Sequence, residues 1–130
     1  MAKKILLIED DVFLRKVLVR KLLKEGYQVI EAIDGEKGLK SIEQDRPDLI
    51  LLDLVLPEID GFEVLAKMKA DKTLAKIPVI ILSNLGEKKE IRKGLEMGVA
   101  GYLIKAHFTP GEIMERIENA LSKNKKEGKS

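Results

Sequence analysis

The chain has 130 residues, 45% hydrophobic and 35% charged, which suits one soluble domain with a single core and excludes a disordered or fibrous class. No apolar run approaches the ~20 residues needed to span a bilayer, and the absence of cysteine excludes disulfides and thiolate metal sites. The net charge of +2 is concentrated at the C-terminus, where residues 123–130 hold four lysines and one glutamate. The rest is close to neutral, so direct nucleic-acid binding by this chain is not expected.

Strand-length apolar runs alternate with segments of helical period. Lys4–Ile8 (KILLI) is the first strand expected, followed by a helix over Val12–Glu25 that Gly26 ends. Tyr27–Ala32 alternates like a strand. Asp34 then caps a helix to about Asp45, which Arg46-Pro47 breaks. Asp48–Asp53 (DLILLD) is the third strand, and Asp60-Gly61 opens a helix to about Ala70. Pro78–Leu82 (PVIIL) is the fourth, followed by a helix from about Glu87 to Met97 that ends at Gly98. Gly101–Ile104 is the fifth, and Thr109-Pro110-Gly111-Glu112 has the form of a capping box opening a last helix to about Lys123. A domain over residues 1–122 and a disordered polar tail over 123–130 follow. The start MAKKILLIEDD meets acids too soon for a secretory signal, so the expected compartment is the cytoplasm.

Five strand–helix units predict an open, doubly wound α/β fold with a parallel five-stranded sheet, because near-continuous apolar strands are covered on both faces. Parallel strands bring their C-terminal ends to one edge, where open α/β sheets bind ligands. Glu9 and Asp10 follow the first strand, Asp53 closes the third, Ser83 follows the fourth and Lys105 the fifth. Carboxylates, a hydroxyl and a lysine together suit phosphoryl transfer with a hard divalent cation, the carboxylate itself acting as nucleophile. Singly, each residue has an ordinary explanation as a helix cap or solvated end. Their shared edge points to chemistry.

The ordered motifs ILLIEDD, DLILLDLVLPEIDGFEVL, PVIILSN and GYLIK make residues 3–122 resemble a response-regulator receiver domain of two-component signalling. The resemblance implies a flavodoxin-like strand order 2-1-3-4-5 and a phosphoacceptor at Asp53, served by Ser83 and Lys105. It implies Mg²⁺ (or Mn²⁺) held by Asp10, Asp53 and the Val55 carbonyl, with Glu9 acting through water. The Asn84 backbone N–H would contact phosphate, and Ser83 with Tyr102 would form the switch. The phosphoryl donor would be a phosphohistidine on a sensor kinase or phosphotransfer protein, docking at Phe13, Leu14, Val17 or Leu18 with His107 and Phe108. The output would be a protein target or a further domain, from a monomer or a phosphorylation-dependent dimer, with no membrane role. Such a protein is a signalling switch rather than an enzyme.

Three features depart from the family or exceed its pattern. Lys105 is followed by Ala106 where the family has proline with a cis bond. Either a cis bond costing about 2.5–4 kcal/mol is retained, or the bond is trans and the loop is rerouted. Val55 and Leu85 stand at positions that in the family modulate phosphate loss, so slow hydrolysis is expected. The first helix also carries more apolar residues than one buried stripe needs. Two rivals use similar chemistry or the same fold. A haloacid-dehalogenase phosphatase wants a second acid two residues after the nucleophile, where Val55 stands, and an unphosphorylated receiver-like module would not need the full acid–lysine set. A flavodoxin lacks its phosphate loop here, and GxGxxG and P-loop motifs are absent.

Overall fold

The computed structural model describes the backbone of residues 2–129 and the side chains of residues 2–123. It contains β1 (Lys4–Ile8), α1 (Val12–Lys24), β2 (Gln28–Ala32), α2 (Gly35–Asp45), β3 (Leu49–Leu52) and α3 (Gly61–Lys69). These are followed by β4 (Val79–Ser83), α4 (Lys88–Glu96), β5 (Gly101–Ile104) and α5 (Pro110–Lys129). The strands form one parallel sheet in the order β2-β1-β3-β4-β5, as expected.

Side chains on successive strand residues point to opposite faces, so β1 to β4 each feed two cores, while β5 feeds one through Leu103. Ile5, Leu7, Leu49, Leu51, Ile80, Leu82 and Leu103 meet α1 and α5 through Leu18, Leu22, Ile113 and Ile117. Leu6, Ile8, Ile50, Leu52 and Val79 meet α2 and α3 through Ile42, Val64, Leu65 and Met68. Each such fully buried aliphatic side chain contributes about 1.5–3 kcal/mol relative to exposure, which anchors the inner strands firmly.

The local signals behave as the residues dictate. Asp11, Asp34 and Asp60 each accept a hydrogen bond from the backbone N–H three residues on, capping α1, α2 and α3. The capping box of α5 is reciprocal: Thr109 N–H donates to Glu112 Oε1 at 2.9 Å, and Glu112 N–H donates to Thr109 Oγ1 at 3.1 Å. Gly26, at φ 92°, turns the chain out of α1.

Two details differ from the sequence reading, and one alternative that it left open is decided. Short 3₁₀ turns occur at Leu74–Lys76 and Lys105–His107, too brief to leave a periodic signal. All described peptide bonds are trans, so the Lys105–Ala106 alternative resolves to a rerouted loop, the second of these turns. The backbone of α5 continues past the expected end near Lys123 to Lys129, because its only glycine beyond the first turn is Gly128. The side chains of the expected tail lie, from residue 124 on, outside the described residues.

The loop after Asp53 is closed by a tight backbone approach. Gly61 N–H donates to the Leu54 carbonyl at 2.9 Å, and a Cβ on Gly61 would lie 2.3 Å from the Asp53 carbonyl oxygen and 2.7 Å from Leu54 Cα. Both are main-chain atoms with little room to yield. Gly61→Ala is therefore expected to destabilise the fold by about 1–3 kcal/mol through overpacking, measured by urea denaturation. An unchanged midpoint would show that this loop relaxes freely.

Candidate functional site

Strand register builds the site. Ile8 pairs with Leu52 across β1 and β3, so the next residues, Glu9 and Asp53, emerge side by side. Ser83 pairs with Ile104 across β4 and β5, which sets Ser83 and Lys105 at the same edge. Asp53 N–H donates to the Ile8 carbonyl at 3.1 Å and extends the ladder one step beyond the strand, so the acid sits on fixed backbone.

Glu9 is 1% exposed and Asp53 5%, whereas Asp10 is exposed. The Lys105 ammonium bridges the two buried acids, with Nζ at 2.7 Å from Glu9 Oε1 and 2.9 Å from Asp53 Oδ2. The remaining oxygens are also engaged: Val55 N–H donates to Asp53 Oδ1 at 3.2 Å, and Asp11 N–H to Glu9 Oε2 at 3.1 Å. The Val55 bond curls the backbone after Asp53 back over the carboxylate. One lysine does not neutralise two buried carboxylates, and Asp10 adds a third negative charge. Burial, reinforced by the Asp53 charge, raises the pKa of Glu9 from 4.5 to about 7, against the lowering effect of its hydrogen bond from Lys105. For Lys105, burial lowers the pKa, but the hydrogen bonds to Asp53 and Glu9 outweigh it and the net shift is upward.

Glu9, Asp10 and Asp53 each present a carboxylate oxygen, and these atoms lie within 4.8 Å of one another. This all-oxygen, excess-negative donor set fits a hard divalent cation. Such an ion would offset the burial, and with it the Asp53 charge, that raise Glu9.

Ser83 is fully buried at the end of β4, and its Oγ accepts from Leu85 N–H at 3.4 Å. Asn84 is exposed beside it. Tyr102 is half-buried on β5, and its hydroxyl donates to the Leu85 carbonyl, which ties β5 to the loop before α4. Burial raises its pKa, helped by Glu90 and Asp53.

The residues expected to meet a partner divide. Phe13 is 80% exposed and His107 is exposed, while Leu14 and Val17 are half-buried. Phe108 is half-buried against the core beneath the Arg116 guanidinium, 5.1 Å from its ring centroid. Leu18 is a correction: it is fully buried with Leu22 against the sheet and offers no surface to a partner. The helical stripe that faces the core runs through Leu14, Leu18 and Leu22, four residues apart.

Sequence reasoning missed Arg15. Its guanidinium donates to the Glu9 carbonyl at 2.9 Å and pairs with Glu31 on β2 at 3.2 Å, which pins the backbone that carries Glu9. An arginine four residues into a helix carries no signal of this. Only the β1–β2 pairing brings its partners together.

Comparison with known proteins agrees with this geometry. Residues 5–118 match the family described as the response regulator receiver domain. The probable transcriptional regulator ycf29 of Pyropia yezoensis is 39% identical over 95% of this chain and 55% of its own length. The alkaline phosphatase synthesis transcriptional regulatory protein PhoP of Bacillus subtilis is 37% identical over 95% of this chain and 50% of its own. This chain thus spans about half the length of the curated relatives it matches. Among solved structures, a CheY-like response regulator receiver domain protein from Methanospirillum hungatei superposes with a TM-score of 0.89 at 29% identity, covering 98% of this chain and 99% of that one. The receiver domain of a sensor histidine kinase from Pseudomonas aeruginosa PAO1, with a magnesium ion coordinated in its active-site cleft, gives 0.84 at 28% identity, covering 94% and 99%. The chain belongs to the response-regulator receiver domain family of two-component signalling.

The shift at Glu9 fixes a sign for stability. Between about pH 4.5 and 7 the folded protein holds more protons than the unfolded chain, so Glu9 becomes progressively destabilising as pH rises, fully so above about 7. In metal-free protein, Glu9→Gln is expected to be more stable than the parent at about pH 8, with the difference shrinking toward pH 5. Urea denaturation across that range checks it. A pH-independent difference would contradict the assignment.

Proposed function

We propose that the protein is a phosphoacceptor switch in which Asp53 takes a phosphoryl group from a phosphohistidine of a sensor kinase or phosphotransfer protein. The observation that carries this reading is the Lys105 ammonium shared by Asp53 and Glu9 at a sheet edge that also holds Asp10. A carboxylate oxygen of Asp53 attacks phosphorus, the N–P bond to the donor histidine breaks, and its electron pair returns to the imidazole. The product is an acyl phosphate. Lys105 moves its contact from the carboxylate to a phosphoryl oxygen, and the Ser83 hydroxyl and Asn84 N–H offer further donors. Asp10, Asp53 and the Val55 carbonyl, with Glu9 through water, would hold Mg²⁺ (or Mn²⁺). The ion supplies charge neutralisation on the transferring group.

The switch uses Ser83 and Tyr102. Turning Tyr102 inward forfeits its bond to the Leu85 carbonyl, so phosphorylation must supply at least that much differential interaction to shift the population of α4, β5 and α5 arrangements. That surface would engage a protein target or an output domain of a longer regulator, since the curated relatives of twice this length include transcriptional regulators. The exposed Phe13, with Leu14, Val17, His107 and Phe108, forms the docking face for the donor. A chain of this kind works in the cytoplasm as a signalling component and catalyses only its own phosphorylation and dephosphorylation. No described helix is long and apolar enough to cross a membrane.

A small-molecule phosphodonor with Mg²⁺ is expected to add one phosphoryl mass to the parent protein and none to Asp53→Asn. Omitting the divalent cation should abolish the adduct. Intact-mass spectrometry reads all three. No adduct on the parent, or an equal adduct on the variant, would sink the mechanism.

The side chains of Val55 and Leu85, 58% and 37% exposed, are apolar and cannot orient an attacking water. The acyl phosphate is therefore expected to survive for minutes or longer after donor removal. A lifetime of seconds, followed by the same mass measurement, would contradict this.

A further inference from the structure

At the opposite edge of the sheet from the acidic cluster lies a cavity of about 710 Å³. It opens between the end of α3, the 3₁₀ turn after it, the start of β5 and the face of α5. Its charged lining consists of Lys69, Lys76, Arg116 and Lys123, and no carboxylate lines it. None of these four forms an ion pair among the described residues. Lysines that serve solubility point apart into water or meet an acid. Here four cations share one concavity, where their mutual repulsion favours an anion.

Lys69 is least compatible with a merely solvated role. It is half-buried, and its Nζ donates to the Ala75 carbonyl at 3.1 Å. It also lies 3.6 Å from where a Cβ on Gly98 would stand, so the ammonium is held against the cavity wall. Burial alone lowers its pKa, with no neighbouring carboxylate opposing the shift. Arg116 is steadied by its stacking on Phe108. Glu112, the acid whose carboxyl feels the Arg116 charge, is already occupied in the Thr109 cap.

Apart from Asn119, which adds an amide, the rest of the lining consists of apolar residues and glycines, among them Ile77, Pro78, Val99 and Leu103. The volume falls within the range of about 300–1,000 Å³ in which proteins bind small organic ligands. We propose that this cavity is a binding site for a nucleotide-class anion, its phosphates met by Lys69, Lys76, Arg116 and Lys123 and its ring system laid on the Ile77–Pro78–Val99 wall. Such a site is separate from the phosphoacceptor edge and would add a small-molecule input to the domain.

The test is calorimetric titration of the full chain with adenosine diphosphate in metal-free buffer at about 0.15 M salt, where surface charge is screened beyond about 8 Å. Saturable one-to-one binding is expected. Lys69→Ala and Arg116→Gln should each weaken it about tenfold or more, the loss typical of one charge-assisted contact. Lys16→Ala, in the separate cationic groove on α1, should leave it unchanged. Inorganic pyrophosphate should bind at least about tenfold more weakly, because it cannot use the apolar wall. The proposal is overturned by absence of saturable binding, by equal losses in Lys16→Ala, or by pyrophosphate binding as tightly as the nucleotide. Far-UV circular dichroism verifies the fold of each variant, and Arg116→Gln, altering an exposed side chain, decides the matter if Lys69→Ala does not fold.

Discussion

Two carboxylates buried at the end of an apolar sheet cannot stay charged without a counter-charge, and Lys105 supplies one to both. An uncompensated buried charge costs several kcal/mol, comparable with a large share of a small domain's net stability. The Lys105 bridge to Glu9 and Asp53 therefore constrains everything around it. β1 and β3 must lie adjacent and in register, β5 must deliver its last residue to the same edge, and the loop after Lys105 must turn away at once. The strand order and the 3₁₀ turn at Lys105–His107 satisfy those demands. What the bridge leaves uncompensated, visible in the raised pKa of Glu9, is the thermodynamic room for a cation.

Much of this was legible before the structure. The five strand runs, the aspartate caps and the Thr109–Glu112 box are local signals, written in residues three or four apart, and they appear where the residues placed them. The convergence of Glu9, Asp10, Asp53, Ser83 and Lys105 followed from parallel topology alone. The contacts within that set did not. That one ammonium bridges Glu9 and Asp53, or that Arg15 reaches both the Glu9 carbonyl and Glu31, depends on side-chain placement across strands.

The positions that the residues alone did not decide share a cause. In α1 the apolar residues exceed one stripe, so periodicity could not decide which of Phe13, Val17 and Leu18 faces the sheet, and Leu18 turned out to be core. At Lys105–Ala106 the sequence offered two conformations, and the choice rests on how the following turn meets the domain. The closeness of Gly61 to the Asp53 carbonyl is likewise tertiary: a glycine after an aspartate reads as a helix start, which it also is.

The sheet order carries one more consequence. Glu9 and Asp53 leave β1 and β3, interior strands hydrogen-bonded on both sides and sealed between two cores, whereas Lys105 leaves β5, an edge strand with β4 as its sole partner. The acids thus stand on strands paired along both sides and their cation on a strand paired along one. A change in charge at the acids therefore acts across the seam toward the side with fewer strand hydrogen bonds to break. Direction of movement is set by where the sheet has an edge, before any particular partner or chemistry is considered.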